Sequence, residues 1–206
     1  MIEAQAQQWL QARWGSACID KLTIFVRLLI EEAGRQNLVS RSTLDAVWER
    51  HILDSAQLVP LADAVANQGR WIDIGSGAGL PGIVAAILQA RPVLLIEPRR
   101  KRVAFLDHVI EVLKLNATTQ PVKAESVSLE QPASVISARA VANLNGLFSA
   151  GAGFSDRESL WLLPKGRSAD FELAEVRGTW QGVFHVEQSL TATDSRIIIA
   201  KKVQRR

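Results

Sequence analysis

The sequence predicts an α/β fold, a doubly wound and mostly parallel sheet of seven strands carrying an N-terminal helical extension. Three observations lead there. Residues 1–68 show helical periodicity without strand-like alternation. From Arg70 onward short apolar runs alternate with helix-length amphipathic segments, and the first such run passes into its helix through a glycine-rich turn. At 206 residues and 48% apolar content the chain can build a full core, which excludes general disorder.

Ile19, Leu22, Phe25, Val26, Leu29, Ile30 and Ala33 recur at three- and four-residue steps and mark the buried face of an amphipathic helix. Gly34 and Asn37 supply its stop, and Ser42 or Thr43 caps a second helix through Leu44, Val47 and Trp48. The extension ends near Asn67-Gln68-Gly69, which divides the chain into 1–68 and an α/β domain of 69–206. There Trp71–Ile74 is a strand, 80–89 a helix and Val93–Ile96 a strand. A helix over 99–115 follows, with Val103, Leu106, Ile110 and Leu113 on its apolar face. Further strands are expected at 119–123, 134–137, 160–163, 183–188 and 196–201. There is no internal repeat and no low-complexity tract.

Lys and Arg number 24 against 21 Asp and Glu, a net charge of +3 that permits a nucleic-acid partner without demanding one. The single cysteine, Cys18, can make neither an intrachain disulfide nor a thiolate metal site, and a reducing cytoplasm is the expected compartment. Met1-Ile2-Glu3-Ala4-Gln5 lacks the basic start of a signal peptide, and the oily stretches fall short of the ~20 residues of a membrane span. A soluble, monomeric protein is expected.

The most informative stretch is Asp73-Ile74-Gly75-Ser76-Gly77-Ala78-Gly79-Leu80-Pro81-Gly82, at the first strand-to-helix turn. Glycines there allow a tight turn and close approach of a ligand. The frame Gly77-x-Gly79-x-x-Gly82 also matches a dinucleotide fingerprint, with Glu97 about 20 residues on as the ribose-binding acid. Asp73 discriminates: at the mouth of such a pocket its carboxylate would repel a pyrophosphate but favour the sulfonium and amine of S-adenosylmethionine. Glu97 suits either cofactor. The bland alternatives are a glycine turn that only packs strand on helix, a helix-capping Asp73 and an exposed strand-end Glu97.

Cys18 lies in the helical extension, so covalent attack on a cytosine ring is excluded. Ser137-Ala138-Arg139-Ala140 stands where amino-methylating enzymes commonly carry a Pro-Pro-aromatic loop. His51, His108 and His185 form no ligand-spaced cluster, so no metal is expected. What remains is an acceptor with a lone pair and no proton to lose, such as purine N7, for which alignment with the donor methyl supplies much of the rate.

From Asn37 to Gly166 the chain resembles the bacterial RsmG (GidB) methyltransferases. The resemblance is carried by Asn37-Leu38-x-Ser40, Arg50-His51-Ile52-Leu53-Asp54-Ser55, the whole Asp73 to Gly82 run and Lys101-Arg102-x-x-Phe105-Leu106. It continues through Ala124-Glu125, Ser137-Ala138-Arg139-Ala140-Val141-Ala142 and Lys165-Gly166. It implies a class I, Rossmann-like methyltransferase sheet and methylation of guanine N7 in 16S ribosomal RNA, as naked rRNA, an assembly intermediate or the small subunit. S-adenosyl-L-methionine would be the donor and S-adenosyl-L-homocysteine the product.

Cofactor contacts implied by the resemblance, with the turn itself, are Asp73, Gly75, Ser76, Gly77, Gly79, Leu80, Glu97, Ala124, Glu125 and Arg139. Pro98 departs from the serine that relatives often carry after the strand-end acid. Arg139 is the candidate catalytic residue, a guanidinium able to grip a phosphate or guanine O6, with a salt-bridge partner at the sheet edge as its alternative. Arg50, His51, Arg99, Arg100 and Lys165 are candidate RNA contacts. Arg99-Arg100-Lys101-Arg102 sits at a helix start where the macrodipole prefers anions, which suits a phosphate partner or else a solvated face. The Lys201 to Arg206 tail is a tether or merely solubilising. A same-fold enzyme acting on a small molecule, a nicotinamide-dependent oxidoreductase and a non-catalytic assembly factor are the competing functions.

Overall fold

A computed structural model describes residues 2–63 and 69–206. Seven strands form one sheet among them: β1 (Trp71–Ile74), β2 (Val93–Ile96), β3 (Ala117–Gln120), β4 (Val135–Ala138), β5 (Leu160–Lys165), β6 (Trp180–Gln188) and β7 (Arg196–Arg205). Their order is β3-β2-β1-β4-β5-β7-β6, with β7 antiparallel to both neighbours and the rest parallel. The order reverses direction between β1 and β4, so the loops leaving their carboxyl ends splay apart and open a crevice.

Strand alternation sends side chains to two cores. Trp71, Leu95, Val135 and Leu162 face one layer, while Ile72, Leu94, Ile136 and Trp161 face the other. The first layer is α1 (Glu3–Ala33), the short helices α2 (Asp54–Ala56) and α3 (Leu58–Ala62), α4 (Gly82–Leu88) and α5 (Arg100–Leu113). The second holds α6 (Leu144–Ala150) and α7 (Ala169–Val176). Every residue of α4 is buried, because it lies between the sheet and the helices outside it.

The expected face of α1 is buried at Leu22, Phe25, Val26 and Leu29, but Ile30 is 44% exposed. Gly15 breaks the helix with φ +78°. The expected second helix is instead a 3₁₀ turn at Arg41–Ala46 followed by a π-helical turn at Trp48–Leu53. The Glu3 carboxylate accepts the Trp48 and Glu49 N–H groups at 3.1 and 2.8 Å, which ties the start of α1 to that turn. The expected boundary at Asn67-Gln68 lies outside the described residues. The helical segment does not stand apart from the sheet, since Leu22, Phe25 and Leu29 share a core with Trp71 and Leu95. No helix among the described residues is long and apolar enough to cross a membrane.

The seven strands and the helices α4 and α5 fall where the sequence places them, with shifted ends, whereas α6 and α7 are not among the expected helices. The third strand comes earlier, at Ala117–Gln120, and α5 stops at Leu113 because Lys114 adopts φ +50°. β6 and β7 are longer than their apolar cores, as they pair with each other as a hairpin-like edge.

Candidate donor turn and acceptor cleft

The turn after β1 needs its glycines. Gly75, Gly77 and Gly79 have φ of +65°, +53° and +83°, in the left-handed region that side chains disfavour. At Gly75 space is also limiting, because a Cβ would lie 2.6 Å from Val141 Cγ2. The turn closes on itself through the Ser76 hydroxyl, which donates to the Asp73 carbonyl at 3.0 Å, and through Ser76 N–H to the Ile96 carbonyl at 3.1 Å.

Glu97 leaves the tip of β2 and bends into this turn. Its Oε2 accepts the Gly77 N–H at 3.0 Å and its Oε1 the Arg99 N–H at 2.9 Å, while Arg102 Nη1 stands 3.8 Å away. Arg102 also donates to the Asn37 carbonyl, so it braces the turn and is not a free cation at the helix start. A pyrophosphate at this turn would need the N–H that Glu97 occupies and would face its carboxylate. A sulfonium cofactor bearing ribose hydroxyls meets an acceptor there, so the donor set fits S-adenosylmethionine. Ala124 is buried and Glu125 exposed on the 3₁₀ turn Ala124–Ser126 that follows β3. Leu80 is buried beneath the turn.

Asp73 is not at a pocket mouth. It is fully buried on the α4 side of β1, with Oδ2 accepting the Gly82 N–H at 3.2 Å and Oδ1 the Ser137 hydroxyl at 2.7 Å. Ser137 in turn accepts the Trp71 Nε1–H at 2.9 Å. Alternation puts residue 73 on the same face as residue 71, directly under the start of α4, so the carboxylate caps that helix and laces β1 to β4. Burial pushes its pKa up to about 6, against the hydrogen bonds from Ser137 and Gly82.

Across the switch point, Arg139 follows the last residue of β4 and precedes Ala140 with φ +56°. The guanidinium is held from the helical segment. Nη1 donates to Asp54 Oδ2 at 3.2 Å and to the Arg50 carbonyl at 3.3 Å, and Nη2 lies 3.3 Å from His51 Nδ1. The π-helical turn and its continuation into α2 present that carbonyl, ring and carboxylate together. His51 Nε2 meets Thr43 Oγ1 at 2.8 Å. Burial, then the charges of Arg139 and Arg50, lower the His51 pKa to about 4. The ring is therefore neutral at pH 7, and its Nδ1 lone pair accepts from Arg139.

A cleft of about 460 Å³ opens beside this cluster, lined among others by Arg139, Val141, Asn143, Lys165, Glu172 and Arg196. Lys165 Nζ is 2.8 Å from Glu172 Oε2 and donates to the Ala142 carbonyl at 2.7 Å. Glu172 also accepts the Leu144 N–H and the Ser168 hydroxyl. Burial raises the Glu172 pKa, but the Lys165 and Ser168 hydrogen bonds outweigh it and hold the carboxyl below its ordinary value. Val141 thus sits between donor turn and cleft on a loop fastened at both ends.

Residues 18–198 match the family model GidB, rRNA small subunit methyltransferase G. The chain belongs to this family. A protein named ribosomal RNA small subunit methyltransferase G from Zymomonas mobilis is 43% identical over 98% of this chain and 95% of its own length. Its namesake from Sphingopyxis alaskensis is 46% identical over 96% and 85%. Among solved structures, an rRNA methylase from Streptococcus thermophilus aligns with a TM-score of 0.52 at 13% identity, covering 70% of this chain and 92% of that one. The glycopeptide N-methyltransferase MtfA complexed with sinefungin aligns at 0.60 and 11% identity, over 74% and 94%. At these identities the structures share the fold alone, a Rossmann-like methyltransferase sheet.

In this GidB member the site residues expected from sequence divide into two groups. The turn glycines and Glu97 come together at the candidate donor turn, and Arg139 and Lys165 on the cleft. Arg50, Arg99 and Arg100 are exposed, whereas His51 is only 8% exposed and its ring is committed to Arg139 and Thr43. Cys18 packs on α4, with its thiol 3.9 Å from the Ile87 carbonyl. Asp54, Gln57, Glu172 and Thr191 had no assigned role in the sequence. Asp54 had a signal in its three-residue spacing from His51; the others had none.

Proposed function

We propose that this chain methylates N7 of a guanosine in 16S ribosomal RNA of the small ribosomal subunit, using S-adenosyl-L-methionine. The observation that carries the proposal is the match of residues 18–198 to the GidB family. The geometry is compatible with that chemistry. Gly75 and Leu80 at the turn, Glu97 toward the ribose and the Ala124-Glu125 turn beside the adenine would hold the donor. When bound, the donor supplies an electrophilic methyl on a sulfonium and leaves as S-adenosyl-L-homocysteine.

Purine N7 offers a lone pair and has no proton to lose, so the chain has to align the acceptor without supplying a base. The charges in the cleft suit such alignment, since Arg139 and Lys165 are cations and their acids are both internally bonded. Arg139 keeps its Nε–H and one Nη2–H without a protein partner among the described residues, and these donors would bind a phosphate or guanine O6. Exposed Arg50, Arg99 and Arg100 would follow the RNA backbone, while His51 would act through Arg139. The protein would work as a cytoplasmic monomer.

The test incubates the protein and labelled donor with undermethylated 30S subunits and with naked rRNA, then digests the RNA and identifies the labelled nucleoside. N7-methylguanosine is expected. Arg139→Ala is expected to lower transfer about 100-fold, the scale of a misplaced reactant, with folding retained. Label on a small molecule and none on RNA would overturn the proposal.

A further inference from the structure

Three segments far apart in sequence meet at one carboxylate beside the cleft. We propose that Asp54 is a positioning residue for methyl transfer, one that fixes the guanidinium of Arg139 and is itself fixed by Thr191 on the loop between β6 and β7. The inference rests on the role of Arg139 proposed above and adds which residues make that arginine act from one place.

A long arginine side chain has much rotamer freedom, and pointing it at one spot requires acceptors in matching positions. Of the three acceptors around Arg139, only Asp54 carries the opposite charge; the Arg50 carbonyl and the His51 ring are neutral dipoles. The two charged side chains are 18% and 15% exposed, so solvent screens their attraction less than it would an open surface pair.

The acid does not float either. Asp54 Oδ1 accepts from Gln57 Nε2 at 3.0 Å and from Thr191 Oγ1 at 2.9 Å, so turning the carboxylate breaks both bonds. Gln57 fastens the same loop a second time, because its Oε1 accepts the Leu190 N–H at 2.8 Å and its Nε2 donates to Ser189 Oγ at 3.1 Å. Ser189, Ser195 and Arg196 of that loop region line the cleft. The three hydrogen bonds of Arg139 and the two bonds to Asp54 Oδ1 thus hold the guanidinium in one place at the cleft it lines, with Nε–H and one Nη2–H left for an acceptor. The partner of those donors is an oxyanion or carbonyl oxygen: a phosphate or O6 from the RNA, or the carboxylate of the donor.

The test measures methyl transfer into undermethylated 30S subunits for wild type, D54N, R139K and the double variant, with KM for donor and for subunit taken separately and thermal melts alongside. D54N keeps the shape of the side chain and removes its charge, and kcat is expected to fall about 10- to 100-fold, in line with loss of a charge-assisted hydrogen bond. In the R139K background the same change is expected to cost no more than about 3-fold, because residues acting as one unit are not additive. T191V is expected to lower kcat several-fold, and T191S, which keeps the hydroxyl, to recover most of it. A rise in donor KM would assign the Arg139 donors to the donor carboxylate, and a rise in subunit KM to the RNA.

If D54N costs its full factor on top of R139K, or lowers the melting temperature while leaving kcat unchanged, the positioning role is overturned although Arg139 keeps its own. If R139K transfers at the wild-type rate, the role of Arg139 fails, and the inference fails with it.

Discussion

Acidification should reach this site through His51. Arg139 has no acceptor atoms, so the contact between its Nη2 and His51 Nδ1 requires a lone pair on Nδ1 and puts the proton on Nε2, which donates to Thr43 Oγ1. The Thr43 hydroxyl in turn donates to the Ser40 carbonyl at 2.7 Å, which completes the chain. Protonating Nδ1 would set an N–H against a guanidinium, and this adds to burial in lowering the ring pKa from 6.5 to about 4. A folded-state pKa below the unfolded one means that the unfolded chain takes up the proton first. The stability from a neutral His51 is complete above pH 6.5 and is lost as pH falls toward 4. Between pH 7 and pH 5 the loss is about 2 kcal/mol.

Asp73 acts in the opposite sense. Its folded-state pKa of about 6 exceeds the ordinary 3.8, so its contribution to stability rises as pH falls through 6. The wild-type curve therefore mixes two opposing slopes, and the difference between wild type and His51→Gln isolates the histidine. Urea unfolding of both at pH 7 and pH 5 should show the wild-type advantage narrowing by about 2 kcal/mol on acidification. A gap that stays constant or widens would refute the neutral, Arg139-facing ring, as would an NMR titration midpoint near 6.5.

Gly75→Ala, at φ +65° and facing Val141, should lower stability by about 1–3 kcal/mol in thermal melts and depress transfer by displacing the 139–143 loop. Lys165→Met removes the cation from Glu172 and the donor from the Ala142 carbonyl. It should cost about 1–3 kcal/mol, read by urea unfolding, and raise the Glu172 pKa. Arg99→Ala with Arg100→Ala should leave donor affinity unchanged. If both arginines contact phosphates, this pair of changes should reduce the logarithmic salt slope of subunit binding by about 2; an unchanged slope would mean that both only face solvent.

Much of the glycine turn and its Glu97 contact is readable from the chain, because the signals are local. A run of glycines between a strand and a helix has few uses, and Glu97 follows at the distance that one helix and one strand impose. Asp73 shows the limit of that reasoning. Its chemistry and proximity suggest a place at the mouth of the pocket, yet strand alternation sends it to the α4 face, where it is fully buried against Gly82 and Ser137. His51 shows the same limit on the acceptor side. A basic-looking motif suggested RNA contact, whereas burial makes the ring neutral and turns it toward Arg139.

The sheet, the glycine turn and the family are legible in the chain alone, since each rests on contiguous residues whose periodicity or spacing carries the information. How Arg139 is held depends on packing, because its partners lie 85 to 89 residues earlier and Asp54 is secured by Thr191, 137 residues from it. Those contacts follow from β1 and β4 standing side by side and from the β6–β7 loop folding over α2. Chain order does not carry that proximity, and packing of the helical segment on the sheet creates it.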